Sequence, residues 1–250
     1  MTRTVASRVG LRLYGDADLI FSVAVADGYD FISESVAVTQ SGQPVDHQEI
    51  RGRHGARLFR VAGTQGEVTV DYTATVRGTL ASVADELELV EYGRPSRYCE
   101  SDALYGTIRQ QFTGLTGRAA VDAVADWVRS HLSYVPGSST VTDGAMATYQ
   151  AKRGVCRDYA HLVIAAMRAL DTPARLVSVY APDLVPMDFH AVAEVFVDGQ
   201  WQIVDATDLA PIDTMVRIAT GRDAADTAFL TKHGAAVDLL ELQVSASVGG

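Results

Sequence analysis

The hydrophobic pattern of this chain changes its period along the sequence, and this change constrains the fold more than any other feature. From Val9 to about Val76, short apolar stretches alternate with polar residues and are separated by turn residues. In "VTVDYTATV" every second residue is apolar, which predicts one buried strand face made of Val68, Val70, Tyr72, Ala74 and Val76. The sequence therefore predicts an N-terminal antiparallel β-sandwich over residues 1–92.

After "GRPS" the spacing of apolar residues becomes helical. Ser101 or Asp102 can begin a first helix, and Thr116 can begin a second. A third helix is predicted over residues 145–152, and the apolar spacing after Cys156 predicts a fourth, buried helix. Three predicted helices thus precede the cysteine.

Period-two patterns return in "ARLVSVY", "HAVAEVFV" and "QWQIVDA", which predict three successive strands. Asp198 and Gly199 between the last two strands predict a β-hairpin. Residues 93–250 are therefore predicted to form an α+β part of the protein, with the domain boundary between residues 92 and 93. The terminal "SASVGG" is predicted to be frayed.

Composition excludes several classes of protein. Two cysteines and the absence of Cys/His clusters argue against a disulfide scaffold or a zinc site, and a reducing compartment is expected. A net charge of −10 without clustered cations argues against a nucleic-acid partner. Apolar runs are much shorter than the roughly 20 residues needed to cross a bilayer, and no signal peptide is apparent. We expect a soluble, cytoplasmic protein without a membrane partner.

Cys156 in "RGVCRDYAHL" lies at the predicted start of the buried helix. A helix N-terminus favours a thiolate through its unpaired N–H groups and its dipole, and Gly154 is expected to provide a tight backbone turn into the helix. A cysteine at this place is by itself more often a packing residue, so the cysteine alone does not indicate chemistry.

Two downstream residues favour a nucleophilic role for the cysteine. His190 begins one strand of the predicted hairpin and Asp205 ends the other, so the two residues are expected at the same open end of the ladder. An acid beside the imidazole would fix its orientation while the other ring nitrogen faces the thiol. Asp208 is a weaker alternative to Asp205, because it lies beyond the strand.

The motifs "RGVCRDYAHL", "PARLVSVY" and "DFHAVAEVFVDGQWQIVDAT" resemble the transglutaminase-like cysteine-enzyme superfamily, and in particular bacterial members with an extra N-terminal β domain. The resemblance extends over about residues 94–229. It implies a papain/transglutaminase-like core whose cysteine lies at a helix N-terminus packed against an antiparallel sheet. It also implies Cys156 as nucleophile, His190 as general base and acid, and Asp205 as the residue that orients His190. It implies no metal or organic cofactor.

The resemblance implies attack of Cys156 on the acyl carbon of a peptide, protein or small amide, followed by water in a peptidase or amidase, or by an amine in a transglutaminase-type acyltransferase. Val192 stands where many relatives have tryptophan, which predicts a differently shaped acyl groove. The second hydrogen-bond donor to the oxyanion stays open between Gln150 and Tyr134.

Two other functions remain as alternatives at this point. One is a non-catalytic protein-binding module that retains the fold, and the other is a redox sensor that pairs Cys156 with Cys99. Cys99 is otherwise expected to be structural. The sequence leaves the oligomeric state and the role of the N-terminal part undetermined.

Overall fold

The computed structural model describes residues 1–80 and 84–249. The first part of the chain forms seven strands: β1 (Thr2–Leu13), β2 (Ala17–Phe21), β3 (Asp30–Gln40), β4 (Gln43–Pro44), β5 (Gln48–Arg51), β6 (Arg57–Gly63) and β7 (Gly66–Arg77). The middle is mainly helical: α1 (Glu86–Tyr92), α2 (Ser101–Gln111), α3 (Gly117–His131), β8 (Ser133–Tyr134), α4 (Ala145–Ala151), β9 (Arg153–Gly154) and α5 (Cys156–Ala169). The last part contains β10 (Ala174–Tyr180), β11 (Phe189–Val197), β12 (Gln200–Val204), β13 (Val216–Gly221), α6 (Ala224–Thr227), β14 (Leu230–Gly234) and β15 (Val237–Gly249).

Two antiparallel sheets form the predicted β-sandwich. Their strand orders are β15-β1-β7-β3-β4 and β14-β2-β6-β5. Apolar side chains of both sheets pack in one buried cluster, which contains Leu11 of the first sheet and Phe59 of the second. The same cluster contains the whole predicted face of β7, namely Val68, Val70, Tyr72, Ala74 and Val76. The predicted period-two pattern is thus confirmed.

The end of the chain completes this sandwich. β15 pairs with β1 from Thr2 opposite Gly249 to Leu13 opposite Val237, and β14 pairs with β2. The prediction that "SASVGG" is frayed is therefore wrong up to Gly249, while residue 250 lies outside the described residues. The predicted assignment of residues 230–249 to the second part is also corrected, because these strands lie beside β1 and β2. Without β15, the backbone N–H and C=O groups along that edge of β1 would be unpaired, which is the physical reason for the pairing.

A third antiparallel sheet, ordered β12-β11-β10-β13, carries the helical part. The buried helix α5 packs on it, and its Leu162 and Ile164 share a cluster with Ala193 and Val195 of β11. The α+β architecture predicted for this part is confirmed. In the described part of the chain, no helix is both long enough and apolar enough to cross a bilayer.

The hairpin of β11 and β12 has the predicted turn. Val197 lies opposite Gln200, so two residues connect the strands. Asp198 and Gly199 have positive φ angles of 54° and 79°, which is the conformation that a two-residue primed turn requires. This turn fixes the register that brings the open ends of both strands together.

Helix α1 was not anticipated from the sequence, although its start signal is present. The Asp85 side chain accepts a hydrogen bond of 2.8 Å from the backbone N–H of Glu88, as in a helix N-cap. This short helix ends at Tyr92, directly before the predicted domain boundary between residues 92 and 93. Its Tyr92 packs edge-on against Trp201 of β12, so α1 covers part of the third sheet.

Candidate active site

Cys156 is the first residue of α5, as predicted. The helix start is held by its own third residue, because the Val155 N–H donates to an oxygen of the fully buried Asp158 at 2.8 Å. Arg157 binds the other oxygen of Asp158 at 2.9 Å. Asp158 therefore fixes the loop-to-helix junction, while Cys156 remains partly accessible and close to the unpaired N–H groups of the first turn.

Residue 154 must be glycine because there is no room for a side chain, and not because its backbone angles favour glycine. A Cβ atom at this position would lie 2.6 Å from the Asp158 Cβ and 2.8 Å from its Oδ2, and the φ of Gly154 is not in the left-handed region. The expectation that Gly154 supplies a tight turn is thus corrected. The glycine leaves room for the carboxylate that fixes the start of α5.

His190 and Asp205 meet at the open end of the hairpin, which confirms their predicted proximity. His190 Nε2 lies 2.8 Å from Asp205 Oδ2. Oδ1 of Asp205 accepts two further hydrogen bonds, from the N–H of Thr207 at 2.9 Å and from its hydroxyl at 2.7 Å. Asp208, the alternative acid, is exposed and has a positive φ of 56°.

Thr207 is a site residue that the sequence analysis missed. It binds the carboxylate two positions before it, a pattern that Asp-x-Thr sequences often adopt in turns. The segment "DAT" carried this signal. Thr207 therefore positions Asp205, and Asp205 in turn positions the imidazole.

The electrostatics of the pair favour a charged acid and a charged imidazole. Burial lowers the pKa of His190, but the hydrogen bond to Asp205 and the interactions with Cys156 outweigh it and raise that pKa to about 10. Burial opposes ionisation of Asp205 as well, yet the hydrogen bonds from His190 and Thr207 hold the pKa of this carboxyl below its usual range. Both side chains are almost completely shielded from solvent.

The second ring nitrogen of His190 is the one left for the thiol. Nδ1 is buried and makes no hydrogen bond to any of the residues that the structure describes. The Cys156 side chain acts on the same imidazole and contributes to the raised pKa of His190. Nε2 of His190 is thus taken by Asp205, while Nδ1 is the ring nitrogen that stays free for the nearby Cys156.

The loop between α3 and α4 lies beside this group. Arg157 donates to the Thr140 carbonyl oxygen at 2.8 Å, which ties the loop to the start of α5. Tyr134 lies opposite Gly154 in the β8–β9 pair, two residues before Cys156, and burial and the Cys156 thiol raise the pKa of its phenol. Gln150, the other candidate oxyanion donor, is exposed on α4.

Cys99 lies outside this group. It is fully buried, and burial raises the pKa of its thiol. Val192 is likewise only 1% exposed and packs with Val177 and Met215, so it lines no open groove. The prediction that Val192 reshapes the acyl groove is therefore not supported by its position.

Comparison with known proteins agrees with the geometry. The sequence model of the transglutaminase-like superfamily matches residues 106–206. A crystal structure of a candidate cysteine protease from Cytophaga hutchinsonii is 33% identical, and the similarity covers 99% of this chain and 90% of that one with a TM-score of 0.91. The chain belongs to the transglutaminase-like superfamily.

A second relative of this transglutaminase-like chain is a protein of Mycobacterium leprae whose function is not characterised. It is 32% identical over 119 residues, which are 44% of this chain and 43% of that protein. The chain thus spans less than half the length of this relative. The mixed α/β core predicted from the resemblance is confirmed for the transglutaminase-like part.

Proposed function

We propose that this protein is a thiol enzyme that cleaves amide bonds through a thioester on Cys156. The observation that carries the proposal is the position of the His190 imidazole, which is bonded to Asp205 through Nε2 while its buried Nδ1 is left for the thiol. A histidine held in this way can take the thiol proton and return it to a leaving group. A non-catalytic binding module does not need a histidine that is held between an acid and a thiol.

The proposed reaction begins from the ion pair in which Nδ1 of the charged His190 imidazole holds the thiol proton and Cys156 is a thiolate. The Cys156 sulfur then attacks the acyl carbon, a C–S bond forms, and the carbonyl electron pair moves onto oxygen. The tetrahedral intermediate collapses with cleavage of the C–N bond, and the His190 proton goes to the departing amine nitrogen. Asp205 stabilises the imidazolium throughout.

The second half of the proposed reaction removes the acyl group. Water attacks the thioester carbon and gives a proton to His190, a C–O bond forms, and the C–S bond breaks. The acid is released, and the Cys156 sulfur returns to its pairing with the charged imidazole. The cysteine-protease description of the Cytophaga hutchinsonii relative supports water as this second nucleophile. We propose a peptide, protein or small amide as substrate. Neither a nucleic acid nor a membrane is proposed as partner, and a cytoplasmic location stays a prediction.

The proposal can be tested with an activated acyl probe. p-Nitrophenyl acetate should acetylate the wild-type protein by one acetyl group at Cys156, as read by intact mass and peptide mapping. Cys156→Ser and His190→Ala should slow acetylation at least roughly 100-fold. Cys99→Ala is the matched control and should react like the wild type, because Cys99 is fully buried.

The fate of the acetyl group separates the two chemistries. Loss of the acetyl group in buffer alone would support hydrolysis, whereas loss only after addition of glycinamide would support an acyltransferase. Absence of acetylation, or equal acetylation of Cys156→Ser, would contradict the thiol-enzyme proposal.

A further inference from the structure

Attack on an acyl carbon places negative charge on the former carbonyl oxygen, and one backbone N–H rarely stabilises it alone. The N–H of Cys156 at the start of α5 supplies the first donor. A second donor must come from a group beside both this N–H and the sulfur. The segment that joins α3 to α4 contains a group of this kind, Tyr134.

Tyr134 is held in this place by backbone pairing. β8 and β9 form a short parallel pair in which Tyr134 lies opposite Gly154, two residues before the cysteine. The Val135 N–H donates to the Gly154 carbonyl at 3.0 Å and extends the pairing by one residue. The backbone of Tyr134 therefore has a fixed position relative to Cys156.

The ring of Tyr134 is directed by a second tyrosine. Its centroid lies 5.9 Å from that of Tyr159 on α5, and the hydroxyl of Tyr159 is fixed by the Leu132 carbonyl at 2.9 Å. Tyr134 as a whole is 40% exposed, so the residue is not enclosed in the core. This support leaves the phenol ordered and yet accessible to a substrate.

The charge balance suits a hydrogen-bond donor. Burial and the nearby Cys156 sulfur raise the pKa of Tyr134 to about 12. The phenol therefore keeps its proton at neutral pH, even beside a thiolate. The backbone N–H of Cys156 also acts on the Tyr134 oxygen, so the hydroxyl lies beside both groups that define the oxyanion position.

We infer that Tyr134 is a catalytic residue whose hydroxyl, together with the backbone N–H of Cys156, donates a hydrogen bond to the oxyanion. This inference rests on the proposed thiol chemistry and assigns the second donor within it. Gln150, exposed on α4, is not that donor.

The test compares two reactions of the same sulfur in Tyr134→Phe. Attack of Cys156 on p-nitrophenyl acetate forms a C–S bond and an oxyanion before p-nitrophenolate leaves. Alkylation by iodoacetamide displaces iodide from a saturated carbon and forms no oxyanion. Tyr134→Phe should therefore slow acetylation by roughly 10- to 100-fold and change alkylation less than about threefold.

Tyr105→Phe is the matched control, since Tyr105 is an exposed tyrosine on α2. It should leave both rates unchanged. An equal fall in both rates for Tyr134→Phe would mean that Tyr134 acts on the reactivity of the thiol. Unchanged or faster acetylation would mean that Tyr134 does not stabilise the oxyanion. Either result overturns the inference. If the wild-type protein is not acetylated, the proposed function and this inference are both contradicted. If Tyr134→Phe is acetylated at the normal rate, only this inference is contradicted.

Discussion

Asp205 and Asp208 are the same amino acid three positions apart, and their surroundings give them different properties. Asp205 is enclosed and binds His190 and Thr207, whereas Asp208 is exposed. In its enclosed position Asp205 both orients the imidazole and raises the pKa of His190. The chemical role of a carboxylate at this site is thus decided by its hydrogen bonds.

The His190–Asp205 pair predicts how stability depends on pH. The folded pKa of His190 is above its unfolded value of about 6.5, so its contribution is full below that pH and disappears as pH rises through about 10. The folded pKa of Asp205 is lowered, so its contribution is full above about 3.9 and disappears as pH falls through the folded value. Asp205→Asn should therefore cost about 3 kcal/mol of unfolding free energy between about pH 4 and 6.5, and less outside this window.

Urea unfolding of both proteins from pH 3 to 10 measures this difference. Asp208→Asn is the matched control, because asparagine tolerates the same positive φ and Asp208 is exposed. It should have little effect at any pH. A loss of stability in Asp205→Asn that is the same at every pH would contradict the electrostatic explanation.

Clear hydrophobic periods placed Cys156 at a helix start and His190 and Asp205 at the ends of two strands. The resemblance to transglutaminase-like enzymes then joined the three residues into one candidate site. The sequence did not identify Thr207 or choose between Tyr134 and Gln150. Those choices depend on loop conformations, which apolar periodicity does not report. The order of the residues could thus be predicted, while their supporting hydrogen bonds could not.

At the scale of elements, the start of α5 depends on one glycine. Gly154→Ala should destabilise the protein by about 2 kcal/mol, because its Cβ would lie within 3 Å of the Asp158 side chain. Relief of this clash would move Asp158 and with it the helix start, so acetylation of Cys156 should also slow. Urea unfolding and the acetylation rate measure the two effects.

Gly106→Ala is the matched control for Gly154→Ala and should change stability in the opposite direction. Gly106 lies in α2 with no atom within 4 Å of an added Cβ, so alanine should stabilise the helix by about 0.5–1 kcal/mol. A neutral or stabilising Gly154→Ala would show that the Asp158 contact does not constrain the junction.

The helices α2, α3, α4 and α5 and the hairpin were predicted from helix start signals, apolar spacing and a specific turn signal. The helix α1 and the strands β13, β14 and β15 were missed. β15 is only partly buried along its length, so its alternation of apolar and polar residues is weak. Its strand character depends on pairing with β1 at the other end of the chain.

At the scale of the whole molecule, the first and last strands close the β-sandwich together. Deletion of residues 237–250 would expose an edge of β1 and remove the half-buried Val237, Leu242, Val244 and Ala246, which pack against the core of the β-sandwich. At about 1 kcal/mol for each side chain, the loss of about 4 kcal/mol should lower Tm by roughly 10 °C and promote aggregation.

Thermal unfolding and size-exclusion chromatography measure the effect of this deletion. Deletion of residues 248–250 alone is the control and should change Tm little, because most of the β1–β15 ladder remains. An unchanged Tm for the longer deletion would restore the predicted division in which residues 1–92 form the β-sandwich without the chain end.

The sequence by itself determined the β-sandwich face of β7, the buried helix after Cys156, the hairpin turn and the three residues in the order Cys, His and Asp. Each is encoded by neighbours a few positions apart, since periodicity and turn chemistry are local. The tertiary structure alone decided that β15 lies beside β1, that Thr207 binds the Asp205 carboxylate, and that Tyr134 lies opposite Gly154 near the cysteine. These contacts join residues that are distant in sequence or lie in irregular loops, so only packing and hydrogen bonding in the folded chain select them.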